Sequence, residues 1–260
     1  MIKAKKSLGQ NFLIDENILK KIVNITNIKN KNVLEIGPGT GNLTYQILSK
    51  APKKFIVIEK DKNLAINLMN EFKDKIEVIN KDILLVDEKN LDNDKFIVFG
   101  NLPYNISTQI LVNFINLNKW PPFYKKVIFM FQKEVADRIL AKSKTKQYGR
   151  LTIITKYRLD VIKSFSVSKN CFFPIPAIDS KIVVFKPKKD SKYKIKDIKN
   201  LEFITNIFFN SKRKMINKPF AKLFKNYIFV AKKLNIDLRL RPSDLSIDQY
   251  YKLTEYYEKN

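Results

Sequence analysis

The sequence comprises 260 residues, of which 45% are apolar and 29% are charged, so a soluble chain with a substantial core is expected. It has one cysteine, Cys171, and no histidine, which excludes an internal disulfide, a cysteine cluster for zinc or iron–sulfur, and imidazole catalysis. No apolar run approaches the roughly 18 residues that a membrane span needs. The segment Met1–Lys6 is basic with no apolar stretch behind it, which argues against a secretory signal. We therefore expect a cytoplasmic protein that uses no metal ion and has no membrane partner.

The charge is strongly asymmetric, with 50 basic and 25 acidic residues and a net charge of +25. Such an excess favours a polyanionic partner, and nucleic acid is the natural candidate. Nearly all of the excess is lysine, and the chain is also rich in asparagine and isoleucine. General compositional drift therefore remains an alternative explanation, and charge alone suggests a class of partner without identifying it.

Apolar runs and helix-length segments alternate along the chain. Residues 1–31 form a basic lead-in with apolar residues at helical spacing, namely Ile14, Ile18, Leu19, Ile22 and Val23. The short apolar runs that follow are Val33–Ile36, Phe55–Glu59, Ile76–Asn80, Phe96–Gly100, Val127–Phe131, Val161–Val167 and Lys181–Phe185. The helix-compatible segments between them are Asn42–Lys50, Asn63–Phe72, Ser107–Asn116 and Lys133–Ala141. This alternation predicts an α/β fold, with a mostly parallel sheet covered by helices on both faces. The last two runs have no clear helix between them, which suits a terminal antiparallel hairpin.

A polar segment containing a proline, Lys186–Lys192, indicates a domain boundary. We therefore divide the chain into a main domain, residues 1–189, and a smaller C-terminal domain, residues 190–260. The apolar spacing from Asp197 to Asn260 predicts several helices in the smaller domain.

A glycine-rich turn follows the first predicted strand, in the segment Asn32–Gly41. Glycines such as Gly37 and Gly39 allow a backbone to approach a ligand closely, and open α/β sheets bind cofactors at this edge. A dinucleotide fingerprint would require glycine at position 42, where the chain has Asn42. The alternative is a turn with a purely structural role.

Two carboxylates make the ligand interpretation stronger. Glu59 ends the second run, where an acidic side chain can accept both ribose hydroxyls. Asp82 follows the third run, where a carboxylate can accept from an adenine amine. Each carboxylate alone could be a loop cap. Together with the glycine turn they imply an adenosine without a pyrophosphate, which points to S-adenosylmethionine as the cofactor.

The fourth run leads into Asn101-Leu102-Pro103-Tyr104. The N6 amine of adenine is a poor nucleophile because its lone pair is delocalised into the ring. The side-chain oxygen of Asn101 and the carbonyl of Leu102 could accept its hydrogens and favour a more pyramidal nitrogen, while Pro103 stiffens the turn. Tyr104 could stack on an extruded base. The alternative is a proline turn that caps a helix at Ser107.

With these motifs the sequence resembles the ribosomal RNA adenine dimethyltransferases, from end to end. The motifs that carry the resemblance are Ser7–Leu13, Glu35–Gly41, Asn101–Tyr104, Phe131–Ala136, Tyr148–Leu151 and Phe172–Ser180. The resemblance implies a Rossmann-like, class I methyltransferase domain with a seven-stranded sheet, followed by a small helical domain that contacts rRNA. It also implies roles for single residues. Asn11 and Leu13 close over the cofactor, Gly37 contacts its methionine end, Glu59 binds its ribose and Asp82 binds its adenine. Phe172 flanks the target base on the face opposite Tyr104.

The branch of the family decides the substrate. Asp179-Ser180 and the tail Leu240–Ser246 resemble the small-subunit enzymes, although Ser211–Lys214 lacks the adjacent arginines that are more usual there. This branch implies dimethylation of the N6 amines of two adjacent adenosines in the 3′-terminal hairpin loop of 16S rRNA, in an immature small subunit. We expect a monomer with a role in subunit biogenesis. The alternatives are a macrolide-resistance type 23S rRNA methyltransferase and a non-catalytic rRNA-binding assembly factor; mitochondrial relatives used in transcription share the fold.

Overall fold

The computed structural model describes residues 9–87, 91 and 95–260, so Ser7 and Leu8 of the lead-in motif lie outside the described residues. Its strands are β1 (Phe12–Leu13), β2 (Asn32–Ile36), β3 (Lys54–Glu59), β4 (Glu77–Asn80), β5 (Phe96–Asn101), β6 (Tyr124–Gln132), β7 (Leu159–Val167), β8 (Phe172–Phe173) and β9 (Ser180–Pro187). Its helices are α1 (Glu16–Val23), α2 (Asn42–Leu48), α3 (Lys62–Phe72), α4 (Ser107–Ile115), α5 (Lys133–Leu140), α6 (Arg150–Arg158), α7 (Ile198–Phe209), α8 (Asn217–Leu223), α9 (Tyr227–Lys233) and α10 (Ile247–Tyr257).

Seven strands form one sheet in the order β4-β3-β2-β5-β6-β9-β7. The pairs from β4 to β6 are parallel, and β9 runs antiparallel to β6. The predicted α/β class and mostly parallel seven-stranded sheet are therefore confirmed. The last two predicted runs, now β7 and β9, are neighbours in the sheet. The small sheet that β1 and β8 form by antiparallel pairing was not predicted, because two-residue strands leave no periodic signal.

The strand order creates a crevice at the carboxyl ends of the central strands. β2 lies between β3 and β5, and Ile36 near its end is level with Ile58 on one side and Gly100 on the other. The connections that leave β2 and β5 therefore depart in opposite directions, which defines a topological switch point. Ligands of open α/β sheets bind in the crevice outside the carboxyl ends of the strands at such a point.

The central strands are buried along almost their whole length. All five residues of β2 are buried, and the last five of β3 and the first five of β5 are buried as well. Such continuous burial is typical of parallel strands covered on both faces. Helix α1 packs Leu19, Ile22 and Val23 into the same core, whereas Ile14 lies before the helix and is exposed. A charged residue in these buried strands is therefore unusual and indicates a specific structural or functional role.

The chain separates into two compact units. The first extends to Ala136 and includes Asp160–Pro187, and the second consists of Asp137–Leu159 and Lys188–Asn260. The sequence-based division placed residues 137–159 in the main domain. The structure groups them with the C-terminal helices because Tyr251 donates its hydroxyl to the carbonyl of Ile153, at 2.8 Å, and the Lys212 ammonium donates to the carbonyl of Tyr148, at 2.7 Å.

The second unit is helical, with α6 and α7–α10. Its interior is rich in aromatic rings, since Phe208 contacts both Phe220 and Tyr250 with ring centroids 5.6 and 5.5 Å apart. None of the helices in the described ranges of the chain is long and apolar enough to cross a membrane.

Candidate active site

A pocket opens at the carboxyl ends of four parallel strands, all in the first unit. The elements that line it are the segment before and within β1, the turn between β2 and α2, and the residues that follow β3, β4 and β5. Its wall includes the predicted residues Asn11, Leu13, Gly37, Gly39, Glu59, Asp82, Asn101, Leu102, Pro103 and Tyr104. Residues from chain segments 90 positions apart are thus brought together, as the parallel sheet predicted.

The glycine turn exposes backbone without side chains at two positions of the pocket wall. Gly37 and Gly39 both adopt left-handed conformations, with φ of +66° and +61°. A Cβ at Gly39 would lie 2.9 Å from the Phe12 ring, so no side chain fits there without displacing that ring. The amide of Gly37 donates to the carbonyl of Ile58 at 2.9 Å, which fixes the turn against β3. At these two glycines the backbone carries no side chain, which permits the close approach of a ligand.

Glu59 ties the turn to the end of β3. Its carboxylate accepts from the amide of Asp61 at 2.8 Å through Oε1 and from the amide of Gly39 at 3.2 Å through Oε2. The side chain is only 6% exposed. Burial raises the pKa of Glu59, and the hydrogen bonds from Asp61 and Gly39 partly offset that rise. Each carboxyl oxygen of Glu59 has more than one lone pair, so the side chain can still accept from a donor in the pocket.

Asp82 lies at the pocket edge, where it caps the short 3₁₀ helix Ile83–Leu85. One carboxylate oxygen accepts from the amide of Leu84 at 3.0 Å, and the other lies 2.8 Å from the ammonium of Lys60. Partial burial works to raise the pKa of Asp82, but the hydrogen bonds from Lys60 and Leu84 and the charge of Lys60 together hold it below its usual value. Asp82 is therefore an ionised acceptor at neutral pH.

Glu35 is a pocket residue to which sequence reasoning gave no role. It lies in the buried strand β2, is 1% exposed, and accepts from the Thr44 hydroxyl at 2.7 Å. Burial raises the pKa of Glu35 to about 8; the hydrogen bond from Thr44 opposes the rise and the charge of Glu59 adds to it. The carboxyl group is therefore protonated at neutral pH. An acidic residue inside an otherwise apolar strand was the signal that could have identified it.

The amide of Asn101 is oriented by the lead-in segment. Its Nδ2 donates to the backbone carbonyl of Asn11 at 3.1 Å. The side chain of Asn42 makes a parallel contact, with Nδ2 donating to the carbonyl of Leu13 at 2.8 Å. With its nitrogen held in this way, Asn101 has an oxygen that can accept from a donor in the pocket.

Tyr104 follows at the turn before α4. Its carbonyl accepts from the Ser107 hydroxyl at 3.2 Å, and its own hydroxyl lies 2.6 Å from Oγ of Ser180, the first residue of β9. Burial raises the pKa of Tyr104, the contact with Ser180 lowers it, and the charge of Asp179 raises it. The phenol is neutral, and its ring forms part of the pocket wall.

Phe172 is the one predicted site residue that the structure does not bring to the pocket wall. It pairs with Leu13 in the β1–β8 ladder, and its side chain is 1% exposed in the apolar core. Successive side chains of a strand point to opposite faces, so the next ring, Phe173, is turned outward and is 58% exposed. In this arrangement Phe172 is a core residue, and Phe173 is the aromatic ring at the surface.

Comparison with known proteins identifies the family. The family model described as "Ribosomal RNA adenine dimethylase" matches residues 1–259. The chain belongs to this family. The resemblance drawn from its motifs is therefore confirmed. Among curated relatives, "Ribosomal RNA small subunit methyltransferase A" of Pelagibacter ubique is 52% identical over 260 residues, which cover 99% of this chain and 98% of the relative. The protein of the same name from Buchnera aphidicola (subsp. Schizaphis graminum) is 43% identical, over 98% of this chain and 93% of the relative.

Solved structures agree with this adenine dimethylase assignment. A dimethyladenosine transferase from Plasmodium falciparum superposes with a TM-score of 0.80 at 29% identity, over 95% of this chain and 98% of that chain. The 23S rRNA methyltransferase ErmE superposes with a TM-score of 0.69 at 21% identity, over 95% of this chain and 99% of that chain, and this similarity concerns the fold alone.

Proposed function

We propose that this adenine dimethylase transfers methyl groups from S-adenosylmethionine to the N6 amines of two adjacent adenosines in the 3′-terminal hairpin loop of 16S rRNA. The observation that carries the proposal is the orientation of Asn101: its Nδ2 is held by the carbonyl of Asn11, so its oxygen is left to accept from an amine in a pocket walled by a glycine turn. The relatives named for small-subunit methylation, at up to 52% identity over the full chain, support the choice of substrate.

The residues of the pocket fit S-adenosylmethionine. At Gly37 a Cβ would have only the carbonyl oxygen of Asn101 within 4 Å, at 3.8 Å, so the missing side chain leaves space for a ligand there. Glu59 and Asp82 offer acceptors for the ribose hydroxyls and for an adenine amine, and Asn11 and Leu13 form the adjoining wall. When bound, the cofactor supplies an electrophilic methyl group on a sulfonium. No step is assigned to a metal ion.

The chain's own residues prepare the nucleophile. The oxygen of Asn101 and the carbonyl of Leu102 accept the N6 hydrogens, and these hydrogen bonds strengthen as the amine becomes cationic in the transition state. Pro103 stiffens the turn that presents these acceptors, and Tyr104 stacks on the extruded base. A general base is not needed before attack, so a chain without histidine can perform this chemistry; positioning supplies most of the acceleration.

A second ring is proposed to flank the other face of the target base, from strand β8. The family resemblance assigns this role to Phe172, whereas the ring exposed on that strand is Phe173. The two assignments differ in what substitution does to stability, so they can be separated by measurement.

We propose that the protein is a cytoplasmic monomer and that its partner is rRNA in an immature small subunit. The second unit carries 25 basic and 9 acidic residues, a net +16, and therefore most of the +25 of the whole chain. Within it, residues 138–159 contain seven basic side chains and no acidic one. Such an excess of positive charge suits the phosphate backbone, and we propose that the second unit supplies most of the rRNA contact.

The test is methylation of small ribosomal subunits that lack the modification. With excess cofactor, mass spectrometry of digested 16S rRNA should find N6,N6-dimethyladenosine as the end product, with the monomethyl form only transient. A stable monomethyl end point would contradict dimethylation. Transfer to 23S rRNA instead would favour the macrolide-resistance alternative, and binding without transfer would favour a non-catalytic assembly factor.

A further inference from the structure

We propose that Ser180 is a positioning residue for capture of the target base, because its hydroxyl fixes the ring of Tyr104; the inference rests on the stacking role proposed for that ring. Tyr104 hydroxyl and Ser180 Oγ are 2.6 Å apart, and 76 residues separate the two in the chain. Ser180 itself does not line the pocket. It therefore acts through Tyr104 and not on the substrate.

Ser180 is a rigid anchor. It is fully buried, and it opens β9, where it pairs with Gln132 at the end of β6. The residue before it is held as well, since the carbonyl of Asp179 accepts from the amide of Lys133 at 2.9 Å and its carboxylate accepts from the amide of Lys169 at 3.0 Å. The position of Oγ is thus set by the sheet and not by a mobile loop.

Tyr104 depends on such an anchor. It lies in the turn between β5 and α4, and its ring is only partly buried. The backbone of the turn is fixed by the hydroxyl of Ser107, which donates to the carbonyl of Tyr104 at 3.2 Å. The contact with Ser180 holds the far end of the side chain, so the ring is constrained at both ends. A ring already held in place loses less conformational freedom when a base stacks on it.

Loss of the hydrogen bond between Tyr104 and Ser180 should affect capture of the target base, the step that follows rRNA binding. Most of the binding energy for rRNA comes from phosphate contacts, so loss of the ring's orientation lowers the occupancy of the captured base within the complex. Ser180→Ala should therefore lower kcat by about 3- to 10-fold, the loss expected for one hydrogen bond. The KM for unmethylated small subunits and the Kd for S-adenosylmethionine should stay within about twofold of wild type.

Tyr104→Phe removes the same hydrogen bond from the other side and keeps the ring, so it tests the inference even where Ser180→Ala does not fold. The double variant should be no slower than either single variant, because all three lack one shared contact. Ser180→Thr keeps the hydroxyl and should restore most of kcat. Ser49→Ala is the matched control, since its exposed hydroxyl also makes a 2.7 Å hydrogen bond, to the carbonyl of Gln46, away from the pocket.

The outcomes separate the inference from the function on which it rests. A folded Ser180→Ala or Tyr104→Phe variant with wild-type kcat would overturn the inference while leaving the proposed function intact. Additive losses in the double variant, or a change confined to cofactor Kd, would overturn it too. Wild-type protein that transfers no methyl group to adenosine N6 in 16S rRNA would instead remove the proposed function itself.

Discussion

The side-chain nitrogen of Asn101 donates to the backbone carbonyl of Asn11 at 3.1 Å, across 90 positions of the sequence. The contact couples two parts of the site: the lead-in segment that forms one wall of the pocket, and the amide proposed to accept from the target amine. The position of that wall and the orientation of the acceptor are therefore coupled through one hydrogen bond.

Replacement of Asn101 by alanine should affect chemistry far more than binding. The variant loses an interaction that strengthens as N6 becomes cationic, for which a reduction of about 100-fold or more in kcat is typical. Its affinity for small subunits, measured by filter binding, should stay near that of wild type because phosphate contacts dominate. A near-normal rate of methyl transfer in single-turnover assays would be incompatible with the role given to Asn101.

Replacement of Glu59 by alanine should weaken S-adenosylmethionine binding by about 1.5–3 kcal/mol, as expected for charge-assisted hydrogen bonds. Part of the loss would come from the turn, because Glu59 also accepts from the amide of Gly39. Isothermal titration calorimetry measures the affinity. Glu77→Ala, an exposed carboxylate on β4, is the control and should bind the cofactor like wild type. Unchanged affinity in folded Glu59→Ala would remove this residue from the site.

The buried carboxyl of Glu35 should make the protein less stable as the pH rises. Its pKa is about 8 in the folded chain, against an ordinary value of 4.5, so the folded state binds more protons than the unfolded state between these two pH values. The free energy of unfolding therefore falls as pH rises through this window, by at most about 1.4 kcal/mol for each unit of pH.

Glu35→Gln keeps an acceptor for the Thr44 hydroxyl and removes the titration. Denaturant unfolding between pH 5 and pH 8 should show a flatter stability profile for this variant than for wild type, with the largest gain at the alkaline end. A Glu35→Gln profile that parallels wild type throughout would show that Glu35 does not titrate in this range.

The sheet could be predicted from the sequence because buried parallel strands are continuous apolar runs. The carboxyl ends of these runs also indicated where the cofactor pocket lies. Sequence reasoning missed α6 because Thr152–Thr155 and Tyr157 are buried around much of the helix, which erases the 3.6-residue alternation. The contact between Tyr104 and Ser180 depends on how β5 and β9 are placed in the sheet, so no local pattern indicates it. The burial of Phe172 was missed for the same reason: which of two adjacent aromatics turns inward is decided by the pairing of β8 with β1.

The two aromatic residues of β8 should respond in opposite ways to truncation. Phe172→Ala empties a site in the core, where its ring is 1% exposed, and should lower the free energy of unfolding by about 3–5 kcal/mol. Phe173→Ala removes an exposed ring, so stability should change by less than about 0.5 kcal/mol. If Phe173 flanks the target base, its loss should weaken base capture by about 1–3 kcal/mol, seen as a lower kcat on small subunits. Urea unfolding gives the free energy of unfolding, and steady-state methylation with the same preparations gives kcat. Wild-type stability in Phe172→Ala together with a lost kcat would return the base-flanking role to Phe172.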